Sequence, residues 1–369
     1  MKIGITTSGH QKSSTGIGNY IYNLIENLPI QPNDLYIIRH PLGYDYNIPN
    51  QIVPWAPKFS NAMLWSWFTY IQKNMFKDLD IIHTPTLCLF PKKPHENYIL
   101  TVNDVIFKLF PEHCTHEVIQ YTNLFFKRNI AFADKIIAIS NTTKQDLIDI
   151  YKIPESKIEV IYLAASEKFK PLKEKEIFQI KEKYNLFKPF VLYVGTIEPR
   201  KNIPTLLHAF SKCLKKVRDV ELILAGGLGW NYDEVFNTVK ILNISDKVRF
   251  LGYIPDEDLP AIYNAAKVFV FPSYYEGFGL PPLEAMQCGT PVITSNVSSL
   301  PEVVGKDGMM IDPSDENGFC RMLIKILTDD EYYQYQKEYG KERSKLFSWK
   351  KTAEKTYTTY KDVIEKSRT

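Results

Sequence analysis

The chain has 369 residues, of which 44% are hydrophobic and 24% charged, with a formal net charge of +3 at pH 7. That length exceeds one comfortable hydrophobic core and favours two domains of ordinary globular composition. A net charge this small gives no argument for nucleic acid as a partner, so no nucleic acid is expected. It is compatible with anionic small molecules and with peripheral, transient contact at an anionic membrane face.

Five cysteines, Cys88, Cys114, Cys213, Cys288 and Cys320, are scattered without a C-x-x-C pair. This pattern argues against a disulfide framework or a structural zinc site and fits a reducing compartment. The first residues, Met1-Lys2-Ile3-Gly4-Ile5-Thr6-Thr7, start a strand and lack the apolar core of a secretory signal. No apolar run is long enough to span a bilayer. A cytoplasmic protein is expected, with any membrane contact peripheral and on the inner face.

Short apolar strands alternate with helical patterns along the whole chain. In the first half the strands are predicted at 2–7, 35–39, 80–82, 98–102, 135–139 and 158–161, with helices at 18–28, 116–133 and 142–151. In the second half strands are predicted at 190–194, 221–225, 248–251, 268–271 and 291–294. Helices there fall at 203–217, 232–242, 259–265, 282–287 and 316–327. Such alternation implies parallel sheets covered by helices on both faces, here twice over: an α/β chain of two Rossmann-like, doubly wound domains. The Lys- and Glu-rich stretch 164–184, which contains Pro171, is read as the linker. The expected division is 1–168, 169–348 and a C-terminal helix over 349–369 that can cross back to the first domain. That helix carries Tyr357, Tyr360 and Val363 at helical spacing. Ligands of doubly wound folds bind beyond the carboxyl ends of the strands, so a cleft between the two domains is expected to hold the site.

The densest group of features is Glu276-Gly277-Phe278-Gly279-Leu280-Pro281-Pro282-Leu283-Glu284-Ala285-Met286, directly after the strand 268–271. Strand, glycine turn and helix together present free backbone N–H groups to an anion. Glu276 would accept hydrogen bonds from sugar hydroxyls, and Glu284, further along the helix, would reach a ribose diol. The plain alternative is a strand–helix turn whose glycines only satisfy backbone conformation. A second group is Gly195-Thr196-Ile197-Glu198-Pro199-Arg200-Lys201-Asn202, again after a strand. Adjacent cations there can hold a diphosphate through charge-assisted hydrogen bonds, although an Arg-Lys pair is more often a solvated turn.

In the first half, Ser8-Gly9-His10 to Thr15-Gly16-Ile17-Gly18-Asn19-Tyr20 follows the first strand and opens a helix. Gly16 is the better candidate for ligand contact, while Gly18 can simply ease packing, and the polar 9–15 segment reads as a lid or a plain loop. Asn103 can hydrogen-bond a hydroxyl but cannot titrate, Asp104 suits a brace, and Ser140 suits a helix N-cap. The aromatic stretch Ala62-Met63-Leu64-Trp65-Ser66-Trp67-Phe68-Thr69-Tyr70 suits either a core patch or a surface for a lipid acceptor. Asp78-Leu79-Asp80 and Asp256-Glu257-Asp258 look like D-x-D metal motifs, but neither follows a strand, and no metal is assigned. His83, His113 and His116 have no ligand spacing, so structural roles are expected.

Glu276 to Glu284 resembles the E-x7-E signature of the retaining glycosyltransferases of family four. The resemblance covers most of the chain, through Gly195 to Asn202, Gly252-Tyr253-Ile254, Phe271-Pro272-Ser273, Gly289-Thr290-Pro291-Val292-Ile293 and Leu300-Pro301-Glu302-Val303. It implies a GT-B fold and transfer of a hexose from a nucleotide-diphosphate sugar to a saccharide or lipid-linked saccharide hydroxyl, with anomeric retention. It also implies that no metal cofactor is needed. On this resemblance Glu276, Arg200 and Lys201 are catalytic. Gly16, Gly18, Asn103, Gly195, Gly277, Phe278, Gly279, Leu280 and Glu284 bind substrate. The Glu-Pro-Arg-Lys-Asn run is similar to mannosyltransferases of bacterial polysaccharide assembly, which makes GDP-mannose the first donor to consider and a UDP-sugar the second. The sequence departs from the family pattern at Thr196, where an arginine is common, and at Asn103, where many relatives carry histidine. A non-catalytic sugar-nucleotide-binding subunit and, more remotely, a glycoside hydrolase are the alternatives.

Overall fold

The computed structural model describes residues 1–7, 16–38, 51–52, 76–86 and 93–368. The polar segment 9–15, the aromatic stretch 62–70 and Cys88 lie outside the described residues. The chain divides into two compact units, one of Met1–Leu163 with Ser348–Thr369 and one of Ala164–Phe347.

The first unit is built on strands β1 (Ile3–Thr6), β2 (Leu35–Ile38), β3 (Gln51–Ile52), β4 (Ile81–Thr84), β5 (Tyr98–Val102), β6 (Lys135–Ala138) and β7 (Ile158–Val160). They form one parallel sheet in the order β3-β2-β1-β4-β5-β6-β7. Every residue of β1, β4 and β5 is buried. Burial on both faces is why these strands read as continuous apolar runs instead of alternating ones. Tyr98, Leu100, Phe126, Ile130, Ile136 and Leu147 share one packed cluster on the sheet. Ser140 caps the helix Asn141–Tyr151, its Oγ accepting from the Thr143 N–H at 3.0 Å. Asp104 braces its own loop by accepting from the Ile106 N–H at 3.1 Å.

The C-terminal helix Trp349–Arg368 belongs to this unit. Its inward stripe includes Trp349, Tyr360, Val363 and Ile364. Trp349 stacks on Tyr20 of the helix Gly16–Asn27 with ring centroids 6.2 Å apart. Tyr360 adds a buried polar chain: its hydroxyl lies 2.7 Å from His83 Nδ1, His83 Nε2 lies 2.8 Å from Thr101 Oγ1, and Thr101 Oγ1 lies 3.0 Å from the Tyr20 hydroxyl. Burial pushes the His83 pKa down to about 3, so the imidazole is neutral and serves as a hydrogen-bonding joint. Removing one end of such a chain leaves a buried ring nitrogen without a partner. Tyr360→Phe is therefore expected to cost about 1–3 kcal/mol in urea unfolding. A loss below a few tenths of a kcal/mol would show that the chain adds nothing to stability.

The second unit contains β8 (Phe190–Val194), β9 (Glu221–Ala225), β10 (Val248–Gly252), β11 (Val268–Phe271), β12 (Val292–Ser295) and β13 (Met309–Ile311). These form a parallel sheet in the order β10-β9-β8-β11-β12-β13. The order reverses between β8 and β11, which makes that pair the switch point where doubly wound sheets open a crevice.

Two features differ from expectation. The stretch 164–184 is not a free linker: it carries the helix Glu174–Tyr184, which packs within the second unit. Glu176 accepts from the Lys173 N–H at 3.1 Å to start that helix, and Arg249 binds the carbonyls of Tyr184 and Asn185 at 2.7 and 2.6 Å to fix its end. The polar helix Asp330–Ser344 and the short strands β3 and β13 are also additional. Among the described residues no helix is long and apolar enough to cross a membrane.

Candidate active site

Both loops singled out in the second unit leave the sheet at its switch point. The chain exits β8 into Gly195–Lys201 and exits β11 into Pro272–Gly279. The exit of β8 is crowded by the neighbouring strand: a Cβ on Gly226, at the end of β9, would meet the Gly195 carbonyl oxygen at 2.0 Å. Any side chain there would push the two loops apart. The second turn needs glycine for a different reason. Gly279 has φ of +110°, and a Cβ on it would sit 2.9 Å from Leu300. It opens the helix Leu280–Cys288, whose first backbone N–H groups have no partners inside the helix.

The two loops meet at Glu276. Its Oε1 accepts from Lys201 Nζ at 2.7 Å and its Oε2 from Arg200 Nη1 at 2.9 Å. Lys201 and Glu276 are each only 8% exposed. The Lys201 ammonium also lies 4.8 Å from the centroid of the Phe271 ring, where the ring quadrupole favours a cation. Burial alone would raise the Glu276 pKa, but the Arg200 and Lys201 charges outweigh it and hold the carboxyl below its usual range. Burial, with Arg200 next door, lowers the Lys201 pKa, and Glu276 pulls it the other way. The result is a preorganised, water-poor pair of charges of opposite sign at a strand switch point.

Further groups fix the backbone around Glu276. Arg200 Nη1 also donates to the Tyr275 carbonyl at 3.1 Å, and the Tyr274 N–H donates to the Arg200 carbonyl at 3.0 Å. From the loop after β12, the Ser298 hydroxyl accepts from the Glu276 N–H at 3.0 Å. Ser298 holds that place from a left-handed conformation, φ +53°, which is costly for a residue with a Cβ. Ser299 Oγ reaches the carbonyls of Glu276 and Phe278 at 2.8 and 2.7 Å. Asn202, itself left-handed at φ +54°, donates to the carbonyls of Pro272 and Pro313 at 3.1 and 2.7 Å. Sequence reasoning missed Ser298, Ser299 and Asn202. The one available signal was a polar run, Asn296-Val297-Ser298-Ser299, at the carboxyl end of a strand.

The other expected residues are placed as follows. Gly195 ends β8, and Gly277, Phe278, Gly279 and Leu280 form the turn and the first helical residue. Glu284 lies inside the helix, partly buried, and accepts from the Tyr263 hydroxyl at 3.0 Å. Gly16 is the first residue of its helix and exposed, Gly18 is buried, and Asn103 follows β5, its amide donating at 3.4 Å to the Pro85 carbonyl. These three belong to the first unit. The acids of the D-x-D look-alikes have local partners. Asp258 binds Lys183 and the Tyr184 hydroxyl, both at 2.6 Å, Asp256 pairs with Lys168, and Asp80 accepts from the Lys2 N–H at 2.7 Å.

Burial raises the Glu284 pKa from 4.5 to about 7, against the pull of Tyr263 and Lys168. A carboxyl whose folded pKa is raised binds its proton more tightly when folded. Stability from this group should then fall as pH rises from about 4.5 to about 7. Thermal midpoints measured between about pH 5 and 7.5 should show that slope in the native protein and a flatter one in Glu284→Gln. Identical slopes would place the titration elsewhere.

Two Rossmann-like units, one carrying a buried carboxylate gripped by two cations at its switch point, define a protein of the nucleotide-sugar-handling GT-B class. Comparison with known proteins narrows this. Residues 174–343 match the family described as glycosyl transferases group 1, and residues 14–166 match glycosyltransferase family 4. The chain is 37% identical over 290 residues to the O-antigen chain mannosyltransferase B of Escherichia coli, spanning 78% of this chain and 75% of that one. It is 36% identical over 241 residues to the serotype-specific mannosyltransferase WbdA of Escherichia coli, spanning 64% of this chain but only 30% of that much longer one. In fold it resembles a glycosyltransferase of Rickettsia africae (TM-score 0.77, 19% identity, 98% of each chain covered). It also resembles HepE of Anabaena, solved in complex with UDP and glucose (TM-score 0.76, 17% identity, 97% of this chain and 99% of that one). The chain belongs to glycosyltransferase family 4, and it is an enzyme of the glycosyltransferase class.

Proposed function

We propose that the protein transfers mannose from GDP-mannose to a hydroxyl of a saccharide or lipid-linked saccharide in cell-surface polysaccharide synthesis, with retention at the anomeric carbon. The observation that carries this reading is the Lys201–Glu276–Arg200 cluster, beside a helix N-terminus whose opening amides point away from the helix body. Similarity to two O-antigen-related mannosyltransferases supports the sugar and the pathway class. A UDP-sugar is the second donor to test.

The chemical difficulty is departure of a nucleoside diphosphate while the sugar gains positive charge. Lys201, Arg200 and the amides from Gly277 to Leu280 would stabilise charge on the leaving phosphates. Preorganised donors of this type contribute about 3–4 kcal/mol each to lowering a barrier. Glu276 would accept from hydroxyls of the donor sugar and orient it, and Glu284 would take the ribose diol. No side chain is assigned as a nucleophile, and the leaving phosphate itself would receive the acceptor proton on the same face. Gly16, Gly18 and Asn103 are assigned to substrate contact in the first unit. The protein would work in the cytoplasm, with peripheral contact to the membrane that carries a lipid-linked acceptor.

These cations perform the task a divalent metal performs in other glycosyltransferases, so transfer should persist in EDTA. The test is release of GDP from GDP-mannose with a panel of saccharide acceptors, with and without chelator. Undiminished turnover in EDTA agrees with the proposal, whereas absolute dependence on added Mg²⁺ or Mn²⁺ contradicts its metal-free part. Tight GDP-mannose binding without turnover on any acceptor would favour a non-catalytic subunit.

A further inference from the structure

Arg200 sits between two carboxylates, and only one of them belongs to the proposed donor site. Glu198 Oε1 accepts from both Nε and Nη2 of Arg200, at 3.1 and 2.8 Å. The opposite nitrogen, Nη1, reaches Glu276 Oε2 at 2.9 Å and the Tyr275 carbonyl at 3.1 Å. A guanidinium is a rigid planar fork, so a hold on its Nε–Nη2 edge sets the direction of Nη1. The chain between the two residues is short and stiff. Pro199 fixes a backbone angle, and the Lys201 N–H donates to the Glu198 carbonyl at 3.0 Å to close a tight helical turn. Glu198 also matters for charge. Arg200 and Lys201 on Glu276 alone would leave an excess positive charge in a poorly solvated place, and Glu198, itself 17% exposed, balances it.

We propose that Glu198 is a positioning residue for the transfer reaction. It acts through Arg200, aiming Nη1 at Glu276 and the Tyr275 carbonyl so that the acid and its loop are set before the donor arrives. This inference rests on the donor-site reading above. It assigns Glu198 no contact with substrate. Its carboxylate is needed as an acceptor on the guanidinium edge, so Glu198→Gln, which keeps an oxygen in that place, should largely substitute for it.

A double-mutant cycle tests this, with kcat at saturating GDP-mannose and GDP affinity both read in every member, and folding followed by thermal midpoint. Glu198→Ala should lower kcat about 10- to 100-fold, as a misplacement near the reacting centre does, with a folded midpoint. Glu198→Gln should recover to within about threefold of the native enzyme. In an Arg200→Ala background, Glu198→Ala should change kcat and GDP affinity less than about twofold, because the group it acts through is gone. Equal losses in both backgrounds would overturn the proposal, as would native turnover in Glu198→Ala. If instead Arg200→Ala and Glu276→Ala both left turnover unchanged, the donor-site reading itself would fail, which is a separate outcome.

Discussion

Glu276→Ala is expected to lower turnover by about 10²- to 10³-fold, the size of loss seen when one preorganised electrostatic group is removed from a transition state. It should also weaken the fold. The carboxylate is the printed ion-pair partner of Lys201, whose ammonium is buried against Phe271. Deleting one member of a buried pair leaves the other uncompensated, at a cost of about 3–5 kcal/mol. Glu276→Gln separates the two effects. It keeps an acceptor for Lys201 and should fold well, yet remain strongly impaired because the charge facing the sugar is gone. Native-like turnover in a folded Glu276→Gln protein would remove the residue from the site.

Lys201→Met should show the opposite balance. The thioether chain has similar length and stays favourable against Phe271, while Glu276 keeps Arg200 at 2.9 Å. Folding should therefore change little. Affinity for GDP should drop by about 1.5–3 kcal/mol, or roughly 10- to 150-fold, which is the worth of a hydrogen bond to a charged group. With less positive charge nearby, the Glu276 carboxyl should titrate closer to its ordinary range. A Lys201→Met protein that binds GDP as well as the native chain, by calorimetry at matched ionic strength, would exclude the lysine from the phosphate site.

The contrast between these variants follows from burial, which the sequence showed only in outline. Runs such as Tyr98–Val102 and Val268–Phe271 are apolar at nearly every position because helices cover both faces of the sheets, so the central strands were legible. β3 and β13 lie at sheet edges and are two and three residues long, too short to give a period. The helix Glu174–Tyr184 buries only Ile180 fully, so its charged surface reads as a linker until Arg249 and Asp258 are seen to hold it. The glycine turn after Glu276 was legible because glycine at a strand–helix junction has few other uses. The pairing of Glu276 with residues 75 and 76 positions earlier was not, because it depends on the strand order that sets β8 beside β11. Ser298 was illegible for a separate reason. Serine does not announce a positive φ, and its conformation is set by the hydroxyl's hold on the Glu276 amide.

Glu198 illustrates the same limit at short range. It lies two residues before Arg200, a spacing that a sequence offers no reason to read as a contact. The turn Pro199–Lys201 folds the guanidinium back onto it. An acid beside two cations then acts as a counter-charge that orients one of them.

The most direct measurement is a thermal-shift comparison of GMP, GDP and GDP-mannose on the native protein and on Lys201→Met. If the β8 and β11 loops hold a pyrophosphate, GDP and GDP-mannose should stabilise the native chain well beyond GMP, by about 2.7 kcal/mol at a hundredfold excess over the dissociation constant. Most of that advantage should vanish in Lys201→Met. Equal shifts for all three nucleotides, unchanged by the substitution, would contradict the account.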